Sequence, residues 1–440
     1  MRVDLQHSFI RLFIVSLVWL LLEGVFRKWL FYSLAGPLFY IKYLLFGLTY
    51  ATFLLGKYPV MKVKHVYQFF ILLYILLCIY GFFNNRNENP IIVAIVGLTV
   101  HLLFLPLTHT TQFLFRNLKK FGTFTKIITY LAFPLCILGM VQFYLPTDHP
   151  INGFVNEEQL ISRVSGFTRI SSIFSFVKIF NAYLLFSITY LTGAILNKLL
   201  KGQSILLESA AVFLLIVNMF MTGSRLPLGL MLLNFLIIGG YVFISFSNLR
   251  KTVVVVFTLG IISLTTMYFT TDLFNDPVDA TIDRFEKAEE RHRTESTGYT
   301  DIVLRIEDRL DIFKFSKYAG WFGYGIGMAY QGNFGFIKHP IPFYFEEEGE
   351  RIVLELGILG GIIVVLMRLA LFIFAFQILR WTTSVEIKLL LLPLLLYILP
   401  GIFTIQNTTY SYMENFFYYL AIGLIIALYK IQQKELRKHH

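Results

Sequence analysis

Residues 272–351 read DLFNDPVDATIDRFEKAEERHRTESTGYTDIVLRIEDRLDIFKFSKYAGWFGYGIGMAYQGNFGFIKHPIPFYFEEEGER, and this stretch decides how the chain is organised. It holds 16 of the chain's 27 acidic residues and 10 of its 38 Lys and Arg, a local balance of −6. The rest of the chain carries +17 of the overall +11. No other long segment is too polar to lie in a membrane. Almost everything around it consists of apolar runs and short basic connectors.

Outward from that stretch, the class follows. The chain has 440 residues, 56% hydrophobic and 17% aromatic, with a mean hydropathy of +0.67, which excludes a soluble domain. Apolar runs of about 18 to 22 residues recur along its length, each able to cross ~30 Å of hydrocarbon. Backbone groups in lipid must bond internally, and these runs are too long and unalternating for barrel strands. The expectation is an all-α polytopic membrane protein of about twelve spans. They fall near 9–26, 36–55, 66–83, 91–114, 126–145, 173–196, 205–222, 227–246, 252–271, 352–376, 386–404 and 412–430. The chain reads as a single membrane domain, 1–440, with a short external loop at 147–172 and a large, partly helical one at 272–351. The first apolar stretch lacks a small-residue cleavage site and reads as a retained span.

Connector charge sets the expected orientation. One alternate set, from Lys57-Lys62-Lys64 through Arg116, Lys198, Arg250 and Arg380 to the tail, carries 18 basic residues with Arg2. The opposite set of short connectors carries six: Arg27, Lys28, Arg86, Arg163, Arg169 and Arg225. Cytoplasmic loops concentrate Lys and Arg, so both termini are expected in the cytoplasm and 272–351 outside. The basic charge is then a topology signal, and no nucleic-acid partner is expected. Cys78 and Cys136 both lie in apolar spans and give neither a disulfide framework nor a metal motif.

A single large polar insertion in such a protein covers or completes a site at the membrane face, so chemistry is sought there and on the helix ends beneath it. Arg225 follows Met221-Thr-Gly-Ser224 at the outer end of the seventh span, with Pro227 opening the eighth. A guanidinium offers five fixed donors and a permanent charge, which suits phosphate oxygens; the alternative is an arginine snorkelling to headgroups. Lys42, Lys178 and Arg368 either snorkel or pair with an acid on a neighbouring span. Asp301 to Lys317 reads as a helix with Ile302, Ile306, Leu310 and Phe313 on one stripe and Arg305 and Arg309 beside it. A glycine-rich bend, Gly320 to Gly327, follows. The Glu346–Glu350 run reads as a solvated ramp, a cation site or an acid/base pair whose crowding raises one pKa. Its spacing matches no calcium loop. His339, beside Pro340, is one of few external histidines.

Four stretches carry a resemblance: Thr222-Gly-Ser-Arg225; Arg163-Val-Ser-Gly166-Phe; Asp308-Arg309-Leu-Asp-Ile-Phe313 through Gly323-Tyr-Gly-Ile-Gly327; and Arg351-Ile-Val-Leu-Glu-Leu-Gly357. In this order and topology they resemble the O-antigen ligase/polymerase family of bacterial envelope glycan enzymes, over roughly residues 160 to 375. The resemblance implies a metal-independent glycosyltransferase without cofactors, acting on an undecaprenyl-pyrophosphate-linked oligosaccharide at the outer face of the cytoplasmic membrane. It maps pyrophosphate binding to Arg225, Arg309, Arg305 and Arg163, with Glu350 and Arg351 in support. The family's ligases carry His-Asn eleven residues before the glycine matched to Gly357. This chain has Glu346 and Glu347 there, and His339 seven residues earlier, so these three are the candidates for the base. A surface-polysaccharide polymerase is the leading expectation, with membrane lipid, an acceptor glycan or glycolipid and a chain-length regulator as partners. A lipopolysaccharide ligase shares the chemistry. A lipid flippase or transporter is the alternative from another class.

Overall fold

The computed structural model describes residues 2–56, 65–84, 89–153, 155, 163–164, 166–294, 307, 309–342 and 344–437. The protein is helical almost throughout. Among the described residues the strand pairing is one two-residue hairpin, Arg163–Val164 against Phe167–Thr168, turning at Gly166 with φ 89°.

The helices are α1 (Arg2–Val25), α2 (Ala35–Leu55), α3 (His65–Phe83), α4 (Ile91–Leu102), α5 (Leu107–Leu114), α6 (Leu118–Tyr144), α7 (Val177–Leu200) and α8 (Leu206–Met221). They continue as α9 (Arg225–Ser245), α10 (Ser247–Thr270), α11 (Asp272–Thr294), α12 (Ser316–Ala319), α13 (Glu348–Trp381), α14 (Val385–Ile402) and α15 (Tyr412–Leu436). Among the described residues, nine are long and apolar enough to cross a membrane: α1, α2, α3, α6, α7, α9, α13, α14 and α15. The bent pair α4–α5 makes a tenth. This defines a multi-pass membrane protein by composition and length. α8, also apolar, is shorter at 16 residues.

Two of the expected spans are broken, each for a visible reason. The span at 91–114 bends by 49° between α4 and α5. Pro106 stands at the break and removes a backbone donor that a continuous helix needs. The span beginning near 352 is part of α13, which is interrupted at Gly357 (φ 72°, ψ −171°). Only glycine adopts that conformation without strain.

α7, α14 and α15 are the inner helices, with most of their length buried in protein. α1, α2, α3 and α9 turn the greater part of theirs outward, including Leu44, Leu54, Phe69, Leu236 and Ile244. Such faces are stable against lipid. α1 packs on α2, α5 on α15, α3 on α13, and α7 on α8 and α14.

The polar stretch is less uniformly external than its composition suggests. Its first 23 residues form α11, which lies against the end of α8: Ala280 is buried and Thr281 Oγ1 donates to Phe220 O at 3.1 Å. The expected helix over 301–317 is interrupted at Asp311–Phe315, which forms a turn before the short α12; residues 301–306 and 308 lie outside the described residues. Leu310 is exposed, while the partly exposed Phe313 ring lies against Gly361 of α13 and Ile312 approaches Gly349. Further on, Ile326, Met328, Ala329 and Tyr330 are buried among α3, α4 and α13. Residues 326–330 therefore enter between helices.

Candidate functional site: a charged cleft at the helix ends

One end of the molecule is knitted together by side chains. Lys28 Nζ donates to Ser172 O, Gln142 Nε2 to the same carbonyl, Asn84 Nδ2 to Gly323 O, and Arg309 Nη1 to Ile405 O. The N-termini of α7, α9, α13 and α15 all open at this end, with their free backbone N–H groups and positive dipole ends.

The first corner of the site is the turn between α8 and α9. Gly223 takes φ 59°, letting the chain reverse before α9 starts at Arg225. Arg169 Nε donates to Thr222 O and Arg169 Nη2 to Ser224 Oγ, both at 2.9 Å. Arg284, from α11, donates to Gly223 O. Burial, with the nearby Arg284 charge, lowers the Arg169 guanidinium to about 10. Both groups it donates to, a carbonyl and a hydroxyl, are uncharged and do not neutralise it. Arg225 itself is half-buried at this corner.

The second corner is the start of α13. The four carboxylates of the glutamate run are each turned to a different task. Glu347 and Glu350 form a capping box, with Glu350 Oε2 accepting from the Glu346 and Glu347 backbone N–H at 3.0 and 3.2 Å. Lys314 Nζ lies 3.3 Å from Glu350 Oε1. Glu348 turns inward to Arg368 at 2.7 Å and accepts from Thr408 N at 2.9 Å. Glu346 is exposed and accepts from Tyr344 OH at 3.2 Å. Glu347 faces Arg309, whose Nη2 is 3.2 Å from Oε1. Its carboxyl is raised above the ordinary 4.5; burial is the main cause, Arg309 and Lys178 oppose it, and Glu346 and Glu350 contribute last. Crowding was expected to raise one carboxyl of the run, and burial does most of that.

The two corners are joined by α7. Asn181 Nδ2 donates to Ser224 Oγ at 2.7 Å. Lys178, one turn earlier on the same face, comes under the charges of Glu414, Arg351, Arg309 and Glu347. Lys178 is exposed to solvent. Glu414 stands in the first turn of α15, and its Oε2 is buried with no hydrogen-bond partner among the described residues. Arg351 is 4% exposed, its guanidinium between the Phe345 and Tyr410 rings, and its Nε also lacks a partner there. An ordinary core would pair such groups.

Beneath the cleft lie buried pairs that hold it. The glycine-rich segment closes over the break in α13: Tyr324 N donates to Leu354 O, Gly325 N to Glu355 O, and Ile358 N to Gly320 O, at 2.8 to 3.0 Å. A side chain at Gly323 would run into the Glu355 carbonyl, and one at Gly357 into the Trp321–Phe322 backbone. About 15 Å down α4 from Ile91, His101 Nε2 meets Glu355 Oε2 at 2.7 Å, and its Nδ1 meets Tyr74 OH at 2.7 Å. The other Glu355 oxygen accepts from Ala329 N at 2.8 Å, pinning the inserted segment. Lys42 and Arg27 share Glu23 at 3.0 and 2.7 Å. For Lys42 and Arg368, pairing with an acid is thus what the structure has, not snorkelling.

Of the residues singled out from sequence, Arg309, Glu347, Glu350 and Arg351 come together at the start of α13, and Arg225 stands at the neighbouring corner. His339 is exposed on a segment anchored by Lys338 N donating to Asn89 Oδ1 at 2.8 Å. Arg163 is described in its backbone alone, paired with Thr168, and Arg305 lies outside the described residues. Sequence reasoning missed Arg169, Asn181, Arg284 and Glu414. The one available signal was a carboxylate, Glu414, in the first turn of an apolar span.

Fold and site together define a helical multi-pass membrane protein with a cluster of charged residues at one end of its helices. No family model matches the chain, and neither a curated protein nor a solved structure does.

Proposed function

We propose that this protein is a membrane glycosyltransferase that moves glycan from a polyprenyl-pyrophosphate carrier to an acceptor sugar hydroxyl, as a surface-polysaccharide polymerase or ligase does. The observation that carries the reading is the junction on α7: Asn181 bonds the serine that precedes Arg225, and Lys178, one turn before it, comes under the charges of Glu414, Arg351, Arg309 and Glu347, so stretches far apart in sequence converge at one end of the helices. The charge of the connectors supports cytoplasmic termini and a cleft that faces outward.

The chemistry asks for what the cleft contains. The acceptor oxygen forms a bond to the anomeric carbon as the bond from that carbon to the pyrophosphate breaks. The acceptor proton passes to a base, and the lipid pyrophosphate leaves with the negative charge. Arg225 and Arg309 hold the pyrophosphate, with Lys178 and Arg351 beside them, and fixed cations in a partly dry site offset the developing charge. Glu347 is the base. It is partly buried next to Arg309, whereas Glu346 and His339 are exposed. A carboxyl raised by burial is better matched to proton transfer near neutral pH.

Interrupted helices favour one other reading. The break at Gly357 and the inserted segment at 326–330 are of the kind that line substrate sites in transporters. The deciding experiment reconstitutes the purified protein with labelled glycan-pyrophosphate lipid and an acceptor. Glycosidic bond formation with release of lipid pyrophosphate supports the transferase; movement of intact lipid across the bilayer supports the transporter and overturns the first reading.

A further inference from the structure

At the opposite end of the molecule a cavity of about 220 Å³ lies between the end of α5 and the last turns of α15. Gln112, Phe113, Phe115, Arg116, Ala427, Lys430, Ile431 and Lys434 line it, three of them cationic and none acidic. We propose that this cavity binds the phosphate of an anionic phospholipid headgroup.

The three cations face a shared space, and the charges of both Lys434 and Arg116 act on the Lys430 ammonium. Helix C-termini do attract cations, and Arg116 meets that need in part: its Nε donates to Phe113 O at 3.0 Å near the end of α5. Its guanidinium also lies 3.8 Å from the centre of the Phe113 ring, which fixes its position. Lys430 stands almost two turns before the end of α15 and lines the same cavity. An anion among the three converts mutual repulsion into attraction.

The remaining lining chooses the kind of anion. Phe113, Phe115, Ala427 and Ile431 make one side of the cavity apolar, so the site is amphipathic. α15 is an apolar helix of membrane-spanning length that starts at the charged cleft, and Lys430 lies about 27 Å further along it. That is the depth of the other membrane boundary, where lipid headgroups are present at high local concentration. Basic pockets between helices at that boundary are the usual headgroup sites. This inference does not depend on the reaction proposed for the cleft.

The test is thermal unfolding of the intact protein in detergent, titrated with short-chain phosphatidylglycerol, short-chain phosphatidylcholine or inorganic phosphate. Phosphatidylglycerol is expected to raise the midpoint at concentrations where the other two do not. Each cation near an anionic headgroup contributes about a fivefold factor in affinity, so Arg116→Gln/Lys430→Gln/Lys434→Gln should shift the titration by on the order of a hundredfold. Lys430→Arg alone should retain the response. Lys119→Gln/Lys120→Gln, which removes neighbouring charges outside the cavity, should leave it intact. An equal shift with inorganic phosphate would overturn the lipid assignment. Equal loss in the Lys119/Lys120 variant would reduce the effect to diffuse surface charge, and absence of any preference for phosphatidylglycerol would remove the site.

Discussion

Asn181 and Ser224, 43 residues apart, meet through an amide-to-hydroxyl hydrogen bond of 2.7 Å, and Ser224 accepts a second bond from Arg169. One serine hydroxyl thereby fixes the turn before Arg225 to α7, whose preceding turn carries Lys178 into the cleft. Asn181→Ala should leave Ser224 held by Arg169 alone. Such a hydrogen bond contributes about 1 kcal/mol to stability, so the unfolding midpoint should fall only slightly. Transfer should fall about tenfold, because the two corners lose their common support. Turnover and unfolding measured on the same preparation check this.

The backbone at Gly357 predicts a folding defect. Its φ of 72° with ψ −171° is accessible to glycine alone, and a side chain would strike the Trp321–Phe322 backbone. Gly357→Ala should cost about 3 kcal/mol or more, combining backbone strain with steric conflict. Gly47→Ala, mid-helix where a methyl group meets open space, serves as the control and should unfold no more easily than the wild type.

Arg368 and Glu348 are both almost wholly buried and 2.7 Å apart. Removing one partner strands the other charge, so Arg368→Met or Glu348→Gln alone should destabilise by about 3 to 5 kcal/mol. The double variant should lose markedly less than the sum. Denaturant unfolding of all four proteins closes the cycle.

Much of this arrangement was legible in the sequence, and the rest was not for definable reasons. Apolar run length marked the helices, but 91–114 was read as one span and the bend at Pro106 was not anticipated. The glycines at 320–327 and Gly357 were each noticed, but their fit into one another depends on a contact between separate segments. The glutamate run suggested one raised carboxyl, and Glu347 is raised, but spacing along the chain did not show that burial would be the main cause or that Glu348 would turn inward to Arg368. Lys178 and Glu414 are separated by 236 positions, and only the packing of α15 beside α7 gives them a common cleft.

Glu347 gives a pH prediction whose sign is opposite to that of a usual salt-bridged acid. Its carboxyl is raised by burial, so the folded protein holds the proton more tightly than the unfolded chain does. Stability attributable to this group is then present at low pH and falls as pH rises through the folded-state value. Glu347→Gln should therefore be more stable than wild type at neutral pH, with the advantage vanishing below the ordinary carboxyl value of 4.5. As the base, Glu347 should also set the acidic limb of the rate profile, which the Gln variant should lack. Unfolding midpoints and turnover from pH 4 to 8 test both.

Orientation can be checked separately from chemistry. Ser296→Cys should react with an impermeant thiol reagent in cells whose outer barrier has been permeabilised, and Gln203→Cys should not. The reverse pattern would place the cleft on the cytoplasmic side and rule out a substrate presented from outside.

The central claim, that Arg225 and Arg309 hold a pyrophosphate leaving group, is tested most directly by the reconstituted transfer assay on Arg225→Lys and Arg309→Lys. Lysine keeps the charge but loses the planar fork of donors. Losing a donor of this kind from a transition state costs on the order of 3 kcal/mol, so each variant should fold normally and turn over about a hundredfold more slowly. Near-wild-type transfer by both variants at normal protein level would contradict the account.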